Sequence, residues 1–305
     1  MTKERSVYLN GEFVAESEAK LPIRDRGFVY GDAVFDTTRT FGHKIFKLND
    51  HLDRFFQSLK YMRLESPLSK QQFADITMEL LEMNLPLIGD EDDFWVTQRV
   101  TRGVPTGDEP PQPSTIVECT PLPFQQRAKY YRDGMPVIVP SVRRTPPEAV
   151  SPRAKMHQYI NLVLAEHEVK AQNPDGWPIV LDMNGNLCEG PGSNIFLVKD
   201  GAVVTPREQY VLAGISRGTA IELAHELNIE VREVDIDLYD AYTADEAFVT
   251  STSFCICPVA SFNGSPMMNP NVPGPVTDRL MKAYSGLVGL DIAGQYLSRL
   301  GLTGL

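Results

Sequence analysis

The sequence predicts a mixed α+β protein with two domains. Its 305 residues suffice for two domains of ordinary size, and its 42% hydrophobic and 23% charged residues are typical of globular proteins. Hairpin and strand patterns fill much of the first 120 residues, whereas the second half alternates short strands with few helices. We therefore expect a small α/β domain over residues 1–120, a linker over 121–133 and a larger domain with a barrel-like sheet over 134–305.

The first elements follow from local patterns near the start of the chain. Asn10-Gly11 separates two alternating apolar runs and predicts a β-hairpin. Residues 24–40 end in a run of β-branched and aromatic residues, which predicts a strand. Three residues of this strand lie two positions apart and therefore share one face: Phe35, Thr37 and Arg39.

Apolar residues at helical spacing then predict two helices. Asn49 or Asp50 is expected to cap the first helix, and Ser69 the second. The expected inner face of the second helix is Phe73, Ile76, Leu80 and Met83. The rest of this domain is expected to be a strand over 94–102, a proline-rich loop over 103–114 and a strand over 116–119.

Short strands dominate the prediction for the second domain. They are expected over 135–139, 179–182, 194–198, 202–205, 230–234 and 247–250, with a hairpin at Asn263-Gly264. Helices are expected over 158–169, from residue 212 onward and over 276–287.

Composition excludes several classes of partner. The formal net charge of −11 argues against a nucleic-acid-binding surface, and no apolar run approaches the length of a membrane span. The first residues show no apolar signal region, so we expect a soluble cytoplasmic protein. The four cysteines, Cys119, Cys188, Cys255 and Cys257, are too few for a disulfide scaffold. Cys255 and Cys257 are expected to be small buried apolar residues without a metal.

Lys155 is the first candidate for chemistry. It lies just before an apolar helical segment, and His157 and Tyr159 can donate or accept hydrogen bonds beside it. A buried lysine loses stabilisation of its charge and becomes nucleophilic toward an aldehyde. Taken alone, the residue fits an ordinary solvated lysine better than a reactive one.

Other segments supply the remaining parts of a site for a phosphate-bearing ring. Glu189 lies in a rigid C-E-G-P-G-S-N turn, where a carboxylate can be held beside a ring nitrogen. The helix start at Gly214-Ile215-Ser216 offers backbone amides, and Thr250 to Ser253 offer hydroxyl groups. Arg54 offers a guanidinium group, although an exposed helix charge would look the same. No ATP or dinucleotide phosphate loop is present.

In this order the motifs resemble those of class IV (fold type IV) aminotransferases, which depend on pyridoxal 5'-phosphate (PLP). They are D-R-G-F-V-Y-G-D, F-D followed by H-L-D-R, the lysine, E-G-P-G-S-N-I-F, L-A-G-I-S-R and T-S-T-S-F-C-I-C-P-V. The resemblance runs from about Tyr8 to Tyr284. It implies a homodimer with the active site near the interface and PLP between two domains.

The resemblance also assigns roles to individual residues. Lys155 is the Schiff-base lysine, Glu189 is the partner of the pyridine nitrogen, and Tyr159 is an aromatic neighbour of the cofactor. The phosphate contacts are Arg54, Ile215, Ser216, Ser251 and Thr252. The substrate pocket is expected to contain Tyr30, Phe35, Thr37, Arg39, Trp95 and Thr97.

The subfamily follows from finer similarities. V-R-R-T-P-P-E-A-V-S-P-R-A-K-M-H-Q-Y and V-T-R-G-V-P-T-G resemble (R)-selective amine transaminases. However, those enzymes have Phe and Glu where this chain has Trp95 and Thr97, and a carboxylate-binding arginine where it has Asp108. The arginine-histidine clamp of D-amino-acid transaminases is also missing. Phe35 and Arg39 instead match branched-chain aminotransferases.

The expected activity is transfer of an amino group from an (R)-amine or D-amino acid to a keto acid such as pyruvate. Among the candidate cations for the acceptor carboxylate, Arg39, Arg99 and Arg102, the shared face with Phe35 favours Arg39. The alternatives are an L-branched-chain or D-amino-acid transaminase, an aminodeoxychorismate lyase and a PLP-binding dimer without turnover.

Overall fold

The computed structural model describes residues 4–107 and 109–301, which form two compact units. Unit 1 comprises the described residues up to Leu122 together with Ala154–Gln158. Unit 2 comprises Pro123–Arg153 and the described residues from Tyr159 onward. Lys155 therefore belongs to unit 1, although residues of unit 2 precede and follow it in the chain.

Unit 1 is a six-stranded antiparallel sheet with helices against one face. Its strands run in the order β2-β1-β6-β5-β3-β4. In chain order the elements are β1 Ser6–Leu9, β2 Glu12–Ala15, a 3-10 turn Glu16–Glu18, α1 Arg26–Tyr30, β3 Ala33–Phe41, β4 Lys44–Ile45, α2 Leu48–Tyr61, α3 Lys70–Asn84, a 3-10 turn Leu85–Leu87, β5 Phe94–Thr106 and β6 Glu109–Pro121.

The core of unit 1 lies between this sheet and the helices α2 and α3. Strand residues that point to this side include Val34, Val96 and Val100, and they pack with Leu52 and Phe55 of α2. The alternation along β3 turns Phe35 and Thr37 to the opposite face, where both are only half-buried. The helices therefore leave the Phe35 face of the sheet available for other contacts.

Local signals predict the first hairpin and one helix cap correctly. Asn10 and Gly11 form the β1–β2 turn with φ of 50° and 106°, values that these residue types tolerate. Ser69 caps α3 in a capping box with Gln72, as predicted. The cap of α2 differs, because Lys47 in a left-handed conformation precedes Leu48 and places Asp50 inside the first turn.

The predicted inner face of α3 is partly wrong. Met83 is exposed, whereas Thr77, Leu81 and Asn84 are buried beside the predicted Phe73 and Leu80. The buried polar residues have partners on the sheet: Gln98 donates to Thr77 at 3.1 Å, and Asn84 exchanges hydrogen bonds with the backbone of Ser6. The apolar pattern of the sequence cannot reveal which face of α3 is buried, because the sheet supplies the hydrogen bonds that allow Thr77 and Asn84 to be buried.

The predicted loop over 103–114 is also wrong, because β5 and β6 extend through it as one hairpin. Val104 pairs with Gln112, and Thr106 pairs with Glu109. This stretch of β6 pairs with β5 alone, and an edge tolerates the missing N–H groups of the prolines. A Cβ at Gly103 would lie 1.7 Å from the Gln112 carbonyl oxygen, so the close approach requires glycine. Asp108 lies outside the described residues.

Unit 2 combines nine short strands with helices. Its elements are α4 Phe124–Asp133, β7 Met135–Ile138, α5 Ile160–Gln172, β8 Trp177–Pro178, β9 Glu189–Gly190, β10 Ser193–Lys199, β11 Ala202–Thr205, a 3-10 turn Glu208–Tyr210, α6 Ile215–Glu226, β12 Val231–Glu233, α7 Leu238–Thr243, β13 Glu246–Ser251, β14 Cys255–Phe262, β15 Ser265–Pro266, α8 Pro275–Val288, α9 Gly294–Leu297 and a 3-10 turn Ser298–Leu300. The predicted linker over 121–133 contains α4. The strand expected over 179–182 is reduced to β8 and a bridge at Leu181.

The strand neighbours of unit 2 form a closed circuit, which explains the barrel-like pattern of the sequence. The order runs β10-β13-β14-β7-β8. After β8, the Val180 N–H donates to the Glu189 carbonyl at 3.0 Å, and the Cys188 N–H donates to the Val180 carbonyl at 2.9 Å. Since β9 pairs with β10, these bonds return to the first strand of the path. Closure leaves few exposed strand edges.

The structure can also be compared with the expectations about cysteines, metal sites and membrane spans. All four cysteines are buried thiols, as predicted for Cys255 and Cys257, and burial raises the pKa of Cys119 to about 12. Across residues 4–107 and 109–301, no three His, Cys, Asp or Glu side chains cluster in a way that could hold a metal ion. No helix in these ranges is both long and apolar enough to cross a membrane.

Candidate active site

Lys155 is held in unit 1 by backbone hydrogen bonds on both sides. The Phe35 N–H donates to the Lys155 carbonyl at 3.1 Å, and the His157 N–H donates to the Ala33 carbonyl at 3.0 Å. These bonds add the lysine segment to the edge of β3 as a short antiparallel strand. The Lys155 N–H also donates to the Ser58 hydroxyl at 3.0 Å. The backbone of Lys155 is thereby fixed by two hydrogen bonds, and a third holds the neighbouring His157.

The side chain of Lys155 lies beside an aromatic ring. Its Nζ is 4.5 Å from the centroid of the Phe35 ring, and the residue is buried. His157 packs edge-on against the same ring, with 5.2 Å between ring centroids. Burial, followed by the charge of Arg99, lowers the pKa of His157 to about 4. His157 is therefore neutral near pH 7, and the lysine has an apolar neighbour in Phe35.

Arg54 lies on α2 and is anchored by a buried carboxylate. Its Nε and Nη2 donate to the two oxygens of Asp36, each at 2.8 Å. Asp36 also accepts from the Thr37 N–H and lies 2.8 Å from His51 Nδ1. Burial alone would raise the pKa of Asp36, but Arg54 and His51 hold that pKa well below its usual range. Burial lowers the pKa of His51, although Asp36 opposes this effect. Asp36 thus fixes the orientation of the Arg54 guanidinium.

The predicted substrate residues of β3 and β5 share one face of the sheet. Thr37 lies opposite Thr97 in the register, and their hydroxyl oxygens are 3.0 Å apart. Arg39 lies opposite Trp95 on the same face. Tyr30 ends α1 and is largely exposed, with the Arg26 guanidinium 5.1 Å from its ring centroid.

Arg39 is buried in an arrangement of its own. Its Nε donates to the Thr40 carbonyl at 2.9 Å, and its Nη2 lies 3.5 Å from an oxygen of Asp93. The guanidinium carbon is also 4.0 Å from the centroid of the Phe41 ring. Asp93 in turn accepts from the Thr40 hydroxyl and from the His43 N–H. These contacts give Arg39 a role in joining β3 to the residues around Asp93.

Glu189 of unit 2 is buried and held by two donors. Arg144 Nε donates to one carboxylate oxygen at 2.8 Å, and the Leu212 N–H donates to the other at 2.9 Å. The backbone of Arg144 is itself fixed, because its N–H donates to the Leu181 carbonyl at 2.8 Å. The carboxylate is therefore rigidly oriented.

The start of α6 offers backbone amides for an anion. Gly214 is the N-cap, and within the described residues no side chain caps the helix, so the backbone N–H groups of Ile215 and Ser216 at its start receive no side-chain acceptor. A Cβ at Gly214 would lie 2.2 Å from the Asn194 side-chain oxygen, which explains the glycine.

A second group of hydroxyls in unit 2 follows β13. Ser251 Oγ accepts from the Phe254 N–H at 3.0 Å and lies 3.2 Å from Ser253 Oγ, with Thr252 between these serines. Thr250 Oγ1 is buried and has no hydrogen-bond partner among the described residues. Tyr159 is at the start of α5, packed against the apolar cluster that contains Leu162.

The predicted residues thus divide between the two units. Lys155, Arg54 and the pocket candidates belong to unit 1, whereas Glu189, Tyr159 and the other phosphate candidates belong to unit 2. Sequence reasoning missed the anchoring roles of Asp36, Ser58 and Arg144. Asp36 occurs in the F-D motif, and Ser58 follows Arg54 by one helical turn, but only the fold reveals their partners.

Known proteins resemble this chain across the region that carries Lys155, Glu189 and Gly214. The sequence model described as Amino-transferase class IV matches residues 33–262. The chain belongs to the class IV aminotransferases. Enzymes of this family use PLP as their cofactor.

Relatives match over nearly the whole chain. A putative branched-chain-amino-acid aminotransferase of Methanocaldococcus jannaschii is 36% identical over 286 residues, covering 92% of this chain and 96% of that protein. The branched-chain-amino-acid aminotransferase of Escherichia coli strain K12 is 30% identical over 308 residues, covering 94% of each.

Solved structures agree with these sequence matches. The Escherichia coli branched-chain amino acid aminotransferase has a TM-score of 0.85 at 29% identity, covering 94% of this chain and 95% of that one. The branched-chain amino acid aminotransferase from Thermobaculum terrenum, in its PLP form, has a TM-score of 0.81 at 26% identity, covering 98% of each chain.

Proposed function

We propose that this aminotransferase acts on L-branched-chain amino acids and their keto acids. The observation that carries the proposal is the Phe35 ring 4.5 Å from Lys155 Nζ, which offers an apolar surface beside the reacting amine. Relatives whose match covers more than nine-tenths of both chains are named branched-chain aminotransferases. Together these points rank the branched-chain activity above the (R)-amine activity that the 142–159 segment favours.

The donor groups of the chain fit PLP by their chemistry. When bound, PLP links to a lysine amine through its aldehyde and withdraws electrons from the substrate carbon. We assign the linking amine to Lys155. Glu189, oriented by Arg144 and Leu212, is assigned to the pyridine nitrogen. A carboxylate there keeps the nitrogen protonated, which strengthens the electron-withdrawing effect.

The phosphate is assigned to donors of two kinds. The uncapped start of α6 supplies the N–H groups of Ile215 and Ser216, where the helix dipole favours an anion. Ser251 and Thr252 supply hydroxyls or amides, and Arg54 supplies positive charge in an orientation set by Asp36.

Lys155 is also assigned the proton transfer. With PLP bound, the free Lys155 Nζ would take a proton from the substrate carbon as general base and would give the same proton up again as general acid. The backbone carbonyl and N–H of Lys155 are both hydrogen-bonded, which favours movement of the side chain over movement of the backbone. Phe35, Trp95 and Tyr30 are assigned to the apolar part of the substrate.

We also infer a homodimer. Four large apolar residues in one segment of unit 1 are exposed: Ile23, Phe28, Val29 and Tyr30. Such a cluster is typical of an interaction surface. Sedimentation equilibrium of the PLP-loaded protein is expected to give twice the mass of the chain, and a monomer at micromolar concentration would contradict this inference.

Single donors test the substrate. We would follow the visible spectrum of the PLP-loaded enzyme after adding L-leucine, D-alanine, (R)-1-phenylethylamine or its (S) enantiomer. Loss of the yellow lysine-linked band with L-leucine and not with the (R)-amine is the expected result. Conversion by the (R)-amine and D-alanine alone would overturn the proposal in favour of the amine transaminase. Repeated turnover of aminodeoxychorismate to pyruvate without an amino acceptor would indicate the lyase.

A further inference from the structure

Three arginines of unit 1 are candidates for binding a substrate carboxylate, and two of them are committed elsewhere. Arg39 is buried against Thr40, Phe41 and Asp93. Arg102 donates to Asp32 and to the carbonyl oxygens of two residues after α2, at distances of 2.7–3.0 Å. Neither guanidinium can turn toward Phe35 without breaking these contacts.

Arg99 is placed differently. It lies on β5 directly opposite Phe35 on β3, so the two side chains project from the same face of the sheet. The Arg99 side chain keeps one-third of its surface exposed, at 33%. Its charge lowers the pKa of His157, which packs on the Phe35 ring. Of the three arginines, Arg99 is the one that lies directly opposite Phe35, the residue beside Lys155 Nζ.

The hydrogen-bond capacity of Arg99 is incompletely used. Its Nη2 lies 2.6 Å from an oxygen of Glu118 on β6. Its Nε is buried and has no hydrogen-bond partner within residues 4–107 and 109–301. A buried guanidinium N–H without an acceptor is costly, and a carboxylate is the acceptor whose geometry suits it best. Glu118 holds one end of the guanidinium and leaves the Nε side for a ligand.

We propose that Arg99 receives the α-carboxylate of the amino acid and of the keto acid. This assignment rests on the proposed aminotransferase function and deepens it, because it makes the enzyme selective for substrates that carry a carboxylate. Glu118 acts as a positioning residue that orients Arg99. The carboxylate and Glu118 also compete for the same positive charge, so Glu118 weakens carboxylate binding while fixing its direction.

The variants Arg99→Leu and Glu118→Gln distinguish this role from a structural one. The probe is 4-methylvalerate, a leucine analogue without the amino group, titrated against the PLP-loaded enzyme by difference spectroscopy. We expect Arg99→Leu to raise its Kd about 10- to 100-fold, the effect of losing a hydrogen-bonded charge. Glu118→Gln is expected to leave the Kd unchanged or to lower it. If the pair is merely structural, both variants will weaken binding alike, which overturns the proposal.

Substrates matched in shape provide a second measurement. L-leucine and 3-methylbutylamine differ only in the carboxylate, so Arg99→Leu is expected to raise the half-saturation concentration of L-leucine and leave that of the amine unchanged. Arg99→Lys should fall between the wild type and Arg99→Leu. Equal losses for both donors would overturn the role of Arg99.

Failure of the proposed function is a separate outcome. A wild-type enzyme that converts D-alanine but not L-leucine would remove the branched-chain proposal, yet Arg99→Leu would still weaken D-alanine if Arg99 binds carboxylates. An unchanged Kd for 4-methylvalerate in Arg99→Leu overturns the inference whichever amino acid proves to be the donor.

Discussion

The two units hold their candidate catalytic groups by different means. In unit 1, Arg54 and Lys155 depend on side chains distant in sequence, since Asp36 orients the arginine and Ser58 fixes the lysine backbone. In unit 2, Ile215 and Ser216 owe their donor capacity to the start of a helix. The first arrangement depends on buried charges. The donors of α6 depend on backbone geometry, although unit 2 also holds the buried Glu189 by an ion pair with Arg144.

This difference has energetic consequences. Asp36 lies in the interior and binds two side chains, Arg54 and His51, so removing its charge breaks a buried ion pair. Every α-helix has free backbone N–H groups in its first turn, so these donors depend on the packing that stabilises the helix and not on a buried charge. Unit 1 should therefore respond to charge-changing substitutions and to pH more strongly than unit 2.

The largest expected effect separates chemistry from scaffold. Lys155→Ala should lower turnover by about 10⁴-fold, because it removes both the linking amine and the proton-transfer group. The circular dichroism spectrum should be unchanged, and the yellow lysine-linked band should be lost. Lys282→Ala, at an exposed lysine on α8, is the matched control and should behave as the wild type. Substantial turnover in the Lys155 variant would sink the proposed mechanism.

A pair of isosteric substitutions tests the comparison itself. Asp36→Asn should lower the free energy of unfolding by about 3–5 kcal/mol, since it uncouples a buried ion pair. Glu189→Gln should cost only about 1–3 kcal/mol, because one of its two partners is the neutral Leu212 N–H, to which the remaining oxygen can still accept a hydrogen bond. Urea unfolding of the PLP-free proteins at pH 7 measures both values.

For turnover the order of the two variants should be reversed, with the larger loss in Glu189→Gln. Glu189→Gln is expected to lower kcat about 100-fold with little change in PLP affinity, because the ring nitrogen loses its carboxylate partner. Asp36→Asn is expected mainly to weaken PLP binding. Equal stability losses in the two variants would show that the contrast between the units is not real.

The smallest expected effect concerns pH. His157 has a folded-state pKa of about 4, below the usual value of 6.5. Between these values the unfolded chain binds a proton that the folded chain does not, so stability falls as the pH drops from 7 to 5. His157→Gln should reduce this loss by an amount on the order of 1 kcal/mol. The variant should still lose some stability at low pH, because the pKa of His51 is also lowered in the folded protein.

Urea unfolding at pH 5 and pH 7 provides the measurement. His225→Gln, at an exposed histidine of α6, is the matched control and should retain the wild-type slope. An unchanged pH dependence in His157→Gln would rule out the proposed contribution of that ring and weaken the case for acid sensitivity of unit 1.

The sequence by itself determined the features that depend on neighbouring residues. Asn10-Gly11 specifies a tight turn through its own backbone preferences, and Ser69 with Gln72 specifies a helix start. The ordered motifs around Glu189 and Gly214 likewise indicated the family, because each is a local arrangement of turn, strand and helix start.

Only the tertiary structure decided which distant residues meet. The lysine segment pairs with β3 of unit 1, although residues of unit 2 precede and follow it in the chain. The 103–114 segment pairs as strands despite its prolines. Strand register placed Arg39 and Arg99 on the same face of the sheet, but Arg39 is paired with Asp93 whereas Arg99 lies opposite Phe35. The physical reason is that a buried charge takes its role from its partner across the sheet, and the pattern along one strand does not reveal which strand lies beside it.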